Sequence, residues 1–178
     1  MKVLGINASG RENGNCRILL DEALKGAKSK GAQTELIFLN SLKISPWREK
    51  LPKDDMPKLE QKILKADVII LASPIYFGSL SAQGKAMIDR CQALWERKNL
   101  RKEALRKNKA KAALICVEAS NREDFFKNAE QIARNFFAVI EAQCCATLFC
   151  AGLDEPKAVL KRPEFLNKAY DLGKNLLP

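Results

Sequence analysis

The stretch Asp67-Val68-Ile69-Ile70-Leu71-Ala72 constrains this chain more than any other. Its unbroken apolar run leaves no polar face, so a strand made from it must be covered on both sides, as the strands of parallel sheets are. Similar strand patterns occur at Val3 to Ile6, Thr34 to Leu39, Ala112 to Val117 and Cys145 to Cys150. Between them, apolar residues return at helical spacing. Leu19, Leu20, Ala23, Leu24 and Ala27 form one such series, with Gly31 as a stop. Leu59, Ile63 and Leu64 form another, behind Asp55 as a cap and Pro57 in the first turn. Further helices are predicted from about Leu80 to Trp95, through Ile132, Phe136, Phe137 and Ile140, and from Pro163 to Leu177. Asn40 to Asp55, with Pro46 and Pro52 and little periodicity, reads as a loop. Gly84, inside a predicted helix, marks either a close approach of another helix, of this chain or a second subunit, or simple tolerance.

Strands alternating with helices predict an α/β chain with an open five-stranded parallel sheet and helices on both faces, because each crossover must be right-handed. The 178 residues suffice for one substantial core, and nothing resembles a linker, so residues 1–178 are expected to form one domain. The sequence contains no apolar stretch of membrane-spanning length and no leader pattern, so a cytoplasmic protein without membrane attachment is expected. The net charge of +10 is spread along the chain apart from a basic stretch, Arg97 to Lys111. That stretch has Trp95 as its one aromatic neighbour, so a solvated helical face is favoured over a nucleic-acid surface.

The chain has no histidine, and its six cysteines include no C-x-x-C pair, which argues against a zinc site. The missing histidine also excludes Ser-His and Cys-His nucleophile chemistry, leaving redox or proton work to other groups or a cofactor. Cys116, Cys144 and Cys145 are expected as small buried hydrophobes in strands.

In an open parallel sheet, ligands bind beyond the carboxyl ends of the strands, near the point where strand order reverses. The loops Asn7 to Cys16, Pro74 to Gly78 and Glu118 to Asn121 should therefore converge. The first reads NASGRENGNC and joins a strand to a helix. It offers unpaired amides, hydroxyls and a guanidinium to a phosphate, although many such turns carry Gly and Ser only to make the bend. It lacks both the Gly-Lys-Ser/Thr ending and the G-x-G-x-x-G of two familiar phosphate loops. Beside it, Tyr76 and Phe77 call for a flat aromatic head on the same ligand, or else merely pack a loop. A flavin mononucleotide, FMN, meets both demands, with Ser9, Arg11 and Asn15 on the phosphate and Pro74 to Phe77 and Gly78 along the ring.

The stretches LGINASGRENGNC, KADVIILASPIYFGSLSAQGKAMIDR and Lys53-Asp54-Asp55-Met56 resemble the NADPH-dependent FMN reductases, especially their iron–sulfur flavoprotein branch. The resemblance covers nearly the whole chain. It implies a flavodoxin-like fold, FMN as cofactor, NAD(P)H as co-substrate and a small-molecule electron acceptor, with assembly as a homodimer or homotetramer. It places Ser9, Arg11, Asn13, Asn15 and Cys16 on the phosphate side and Pro74, Ile75, Tyr76, Phe77 and Gly78 on the ring side. It implies no catalytic side chain, because N1 and N5 of the flavin do that work.

The chain departs from the family pattern at three places. Cluster cysteines are expected in the branch between the second strand and Asp54-Asp55-Met56, yet Ile44 to Leu51 contains none, so no iron–sulfur cluster and no metal are expected there. Trp47 stands near the first ligand position, where it would pack against the flavin or an interface. Cys16 replaces the usual Thr, which weakens one hydrogen bond to phosphate by about 1 kcal/mol. Glu118 and Ser120 belong to a loop without glycine, and Glu118 either sets a negative charge beside the flavin or points to solvent. Two further readings stay open: an FMN-containing electron carrier serving protein partners, and a flavin-free interaction module that kept the fold.

Overall fold

Apolar alternation and continuous runs translate into five parallel strands and six α-helices in a computed structural model, which describes residues 1–120 and 122–178. Asn121, at the end of the predicted third loop, lies outside the described residues. The order along the chain is β1 (Lys2–Asn7), α1 (Asn15–Ser29), β2 (Gln33–Phe38), α2 (Met56–Lys65), β3 (Val68–Tyr76) and β4 (Ser79–Leu80). There follow α3 (Ala82–Arg90), α4 (Gln92–Asn99), β5 (Ala110–Val117), α5 (Glu123–Val139), β6 (Ala142–Cys150) and α6 (Pro163–Asn175). The parallel strands lie in the order β2-β1-β3-β5-β6, and the short β4 pairs antiparallel with the end of β3. This is the flavodoxin-like order, with its reversal between β1 and β3.

The predicted central strand is β3, whose residues are buried without interruption from Val68 to Ile75. It runs further than the apolar pattern implies, through Pro74. Pairing with β1 ends at Asn7 opposite Ala72, so the missing N–H of Pro74 costs no bond on that side. One face of the sheet packs Leu59, Ile63, Met87, Leu94, Phe136 and Phe137 from the intervening helices. The other face receives α1 and α6 through Leu19, Leu20, Ala23, Ala169 and Leu172. There α1 and α6 approach closely enough that a Cβ on Gly26 would lie 2.0 Å from the Tyr170 carbonyl oxygen, and one on Gly173 1.8 Å from that of Ala23.

The structure differs from the sequence reading at several places. The predicted helix from Leu80 to Trp95 is two helices, because Cys91, with ψ of 2°, ends α3 before α4 begins. Of the cations in the basic stretch only Arg97 and Lys98 are helical, and several are spent inside the fold. Arg106 donates to the carbonyls of Ile140 (2.6 Å), Ala66 (2.7 Å) and Ile63, closing the C-terminal ends of α2 and α5. Lys98 donates to Ala138 O at 2.6 Å and Lys111 to Leu176 O at 2.9 Å. A helix-end clamp thus replaces the expected solvated helical face. Cys116 is buried as expected, but Cys144 is half-buried and Cys145 exposed, because the register between β5 and β6 slips at Ala112/Ala113 and leaves Cys145 without a partner on β5.

Asp55 occupies the N-cap position of α2 without a side-chain cap bond. The capping is done by Asp54, whose Oδ1 accepts from Met56 N at 3.1 Å and whose Oδ2 accepts from Ser45 N at 3.0 Å. Asp54 is also paired with Arg90, both side chains being buried, and Arg90 donates to Ser45 O at 3.0 Å. The long loop before α2 is thereby fixed to α3.

Two stability predictions follow from this packing. Gly26→Ala should lower unfolding free energy in urea by about 1–3 kcal/mol, because the overpacking outweighs the roughly 1 kcal/mol gain in helix propensity. Arg90 lowers the carboxyl of Asp54 to about 2 by hydrogen bonding, against the opposing effect of burial. A depressed carboxyl contributes its full stability above the unfolded value of about 4 and loses it as pH falls through the folded value. Asp54→Asn should therefore cost about 3–5 kcal/mol at pH 7 by stranding Arg90, with the deficit shrinking as urea melts are taken from about pH 4 to pH 2.

Candidate functional site

All five parallel strands point their carboxyl ends to one edge, and the crevice there opens between β1 and β3. The first wall is the turn from Asn7 to Cys16. Its shape is set locally: Asn7 Oδ1 accepts from Ser9 N at 3.0 Å, Ser9 Oγ from Arg11 N at 3.1 Å, and Arg11 O from Gly14 N at 3.3 Å. The backbone N–H groups of Glu12, Asn13, Asn15, Cys16 and Arg17 find no protein acceptor among the described residues. They collect at the positive end of α1. Beneath them, Asn7 is wholly buried and its Nδ2 has no partner among the described residues.

The second wall is the end of β3 and the hairpin it enters. Phe77 and Gly78 both have positive φ, 51° and 75°, which makes the two-residue turn of a tight hairpin. Gly78 is required there twice over, because a Cβ would meet the Phe125 ring at 2.9 Å. Asn128 Nδ2 holds the Gly78 carbonyl at 2.5 Å. The turn presents Tyr76, 49 % exposed, and Phe77, 105 % exposed, so neither aromatic packs a loop. A Phe held at positive φ with its ring in solvent is strain retained at a site rather than in a core. The two walls are tied together by Ser81, whose hydroxyl donates to Ala8 O at 2.6 Å while its N–H donates to Ser73 Oγ at 3.0 Å.

A cavity of about 170 Å³ lies between these walls and is lined by Ser9, Arg11, Cys16, Pro74, Ile75 and Tyr76, together with Gly14 and Asn15. Val117, at the end of β5, and Ala119, from the loop after it, close it on a third side. The three predicted loops do converge. Other expected residues lie elsewhere. Asn13 is exposed and faces a separate outer cleft. Glu118 points neither into the cavity nor to solvent: it is buried, takes the Ser120 hydroxyl, and leaves Oε2 without a partner among the described residues. Ser120 is exposed beside it. Trp47 lines an apolar groove with Trp95 between the α3–α4 region and α5, away from the cavity.

Sequence reasoning missed the fourth side. Leu153 and Asp154, from the loop after β6, also line the cavity. The signal was available, because the carboxyl end of the last parallel strand opens on the same edge as the others. Asn15 is committed to this loop, donating through Nδ2 to Leu153 O (3.3 Å) and Glu155 O (2.9 Å) and accepting from Val159 N at 3.1 Å.

The residues present fit FMN. A row of free amides at the positive end of α1 suits a phosphate. Gly14 keeps the cradle shallow, because a Cβ there would come 2.9 Å from Arg11 Cβ. Burial, and secondarily the neighbouring Cys150, push the Cys16 thiol well above its ordinary value, so no thiolate opposes an anion. Two aromatic rings stand at the mouth for a flat head group.

Comparisons with known proteins bear on the fold and the family. An iron–sulfur flavoprotein of Methanosarcina thermophila is 37 % identical over 123 residues, which are 64 % of this chain and 62 % of that protein. The chain thus spans about three fifths of the length of this curated relative. A flavone reductase structure superposes with a TM-score of 0.82 at 22 % identity, over 99 % of this chain and 62 % of that one. The NAD(P)H:quinone oxidoreductase of Methanothermobacter marburgensis gives a TM-score of 0.73 at 19 % identity, over 99 % and 98 %. At those identities the two structures speak for the fold. The sequence profile of the NADPH-dependent FMN reductases matches residues 1–149, and the chain belongs to that family.

Proposed function

We infer that this chain is an FMN-dependent oxidoreductase that takes electrons from NAD(P)H and passes them to a small acceptor such as a quinone, a flavin, a metal ion or a nitroaromatic. The observation that carries the reading is the meeting of the free-amide turn at α1 with the solvent-exposed Tyr76-Phe77 hairpin across one crevice. FMN, when bound, supplies hydride and single-electron exchange through its ring. The chain's own residues do the rest. The free amides of Asn15 and Cys16, with Ser9 and Arg11, hold the phosphate; the backbone from Pro74 to Gly78 meets the ring edge; Ser81 keeps the two at fixed separation. Cavity-lining groups include no histidine, and we assign no side chain as acid or base.

In this reading the protein works without an iron–sulfur cluster, because the loop from Asn40 to Asp55 carries no cysteine. It works in the cytoplasm, where its six free cysteines stay reduced. No described helix is long and apolar enough to cross a membrane. Assembly as a homodimer or homotetramer belongs to the same reading, and the groove flanked by Trp47 and Trp95 offers an apolar surface for it.

The absorption spectrum tests the reading. Protein supplied with FMN should show a flavin spectrum with no cluster absorption, and anaerobic NADH or NADPH should bleach it. No flavin uptake would overturn the reading in favour of an interaction module; a bound flavin reduced only by a protein donor would make the chain an electron carrier. Gly14→Val, which crowds the cradle, should weaken FMN binding by about tenfold or more in a fluorescence-quenching titration, as loss of about 1.4 kcal/mol of phosphate contact requires.

A further inference from the structure

The segment from Ala151 to Leu160 lies outside the family match and lines the cavity without a role in holding phosphate or ring. Its contacts give it a different one. It is strapped across the phosphate turn by Asn15, through the bonds to Leu153 O, Glu155 O and Val159 N, and by Arg11, whose Nη1 donates to Asp154 O at 3.1 Å. Asn15 is buried, and all its side-chain polar atoms are engaged with this strap. Its side chain therefore holds the strap, whereas both the loop pattern and the family resemblance placed it on the phosphate.

The strap and the turn together form a partition. On its inner side lies the cavity of about 170 Å³, touched by Arg11, Asn15, Leu153 and Asp154. On its outer side lies a cleft of about 700 Å³, touched by the intervening residues Glu12, Asn13 and Arg17 and, from the far end of the strap, by Lys157 and Leu160. That cleft also offers Phe38, with the Arg17 guanidinium 4.6 Å from its ring centroid, and the hydroxyl-bearing Ser41. It is large enough to take a nucleoside, and alternate residues of the same turn line it and the inner cavity.

We propose that this partition is the specificity determinant of the site: it admits a flavin that ends in a phosphate monoester and rejects one continuing through a diphosphate to adenosine, with Asn15 as the positioning residue and Leu153 as the bulk of the wall. The proposal rests on the flavin reading above. Selectivity here comes from obstruction, not from extra contacts to FMN. Flavin adenine dinucleotide has the same ring and the same first phosphate, so contacts in the cradle alone would not tell the two apart. Opening the wall exposes the outer cleft to the adenylate half.

The test is a pair of binding titrations on apoprotein, following quenching of flavin fluorescence by FMN and by flavin adenine dinucleotide, with thermal melting as a control for folding. Unaltered protein should prefer FMN by about a hundredfold or more. Asn15→Ala should cut that preference by about tenfold, through tighter binding of the dinucleotide, a shift worth about 1.4 kcal/mol. Leu153→Ala, which keeps the backbone bonds and removes wall, should act in the same direction and stands in if Asn15→Ala does not fold. Parallel weakening of both flavins, or weakening of FMN alone, would overturn the proposal, since it would mark Asn15 as merely structural or as a phosphate ligand. Equal binding of both flavins by unaltered protein would overturn it while leaving the flavin reading intact. Binding of neither would overturn both.

Discussion

The buried hydroxyl of Ser81 is the interaction on which the candidate site depends. It donates to the carbonyl of Ala8, just past β1, and accepts from Gly84 N at 3.1 Å, which caps α3. Its own N–H is held by Ser73 Oγ, which in turn donates to the Pro74 carbonyl at 2.8 Å. Four short bonds thus join the ends of β1 and β3 with the start of α3, with no water needed between them. Such a network is stringent, since each buried member left unpaired costs more than the bond contributes when made. Gly84 belongs to the same knot: a Cβ there would press on Ala8 at 3.2 Å, so the close approach it permits is to the first loop.

A second tie carries the long loop before α2. That loop buries little of itself, and Trp47 and Leu51 remain exposed on it. Its order comes from Asp54, which accepts from two backbone amides and from Arg90 in a buried ion pair. Breaking one partner of such a pair strands the other, so the loop and α3 hold or fail together. The sequence stretches that resemble the family are thereby physically linked. Lys53-Asp54-Asp55-Met56 ends in the cap of α2, and the block from Lys65 closes on Arg90, which reaches that cap. Ser81, inside the same block, reaches the first stretch.

Features governed by burial and by strand direction were legible in the sequence. The run from Val68 to Ala72 could only be a strand covered on both faces, and once strands alternate with helices, the convergence of the first, third and fourth loops follows from topology. The groups misread share a physical cause: their partners are remote in sequence. Arg106 looks like a surface cation until α2 and α5 present three carbonyls to it. Asn15 carries the local pattern of a phosphate contact, but its acceptors lie at Leu153 and Glu155. Asp54 and Asp55 are equivalent as caps by composition, and Arg90 decides between them. Cys145 is exposed because of a slip in register that no periodicity announces.

The C-terminal segment beyond the family match is thus part of the site's construction. Gly26 and Gly173 let α6 lie against α1 at backbone contact, which fixes the helix whose first turn holds the free amides. The loop leading into α6 supplies Leu153 and Asp154 to the cavity on the way. An element that buttresses α1 from behind therefore also closes its N-terminal end in front. Both contacts come from one continuous stretch, so the N-terminal end of α1 and the cavity wall beside it share one support. In the proposed flavin reading, the wall from Pro74 to Gly78 is set by β3 and Ser81, and the opposite wall by the stretch leading into α6. Changes in ring chemistry and changes in tail length are then read by different parts of the chain.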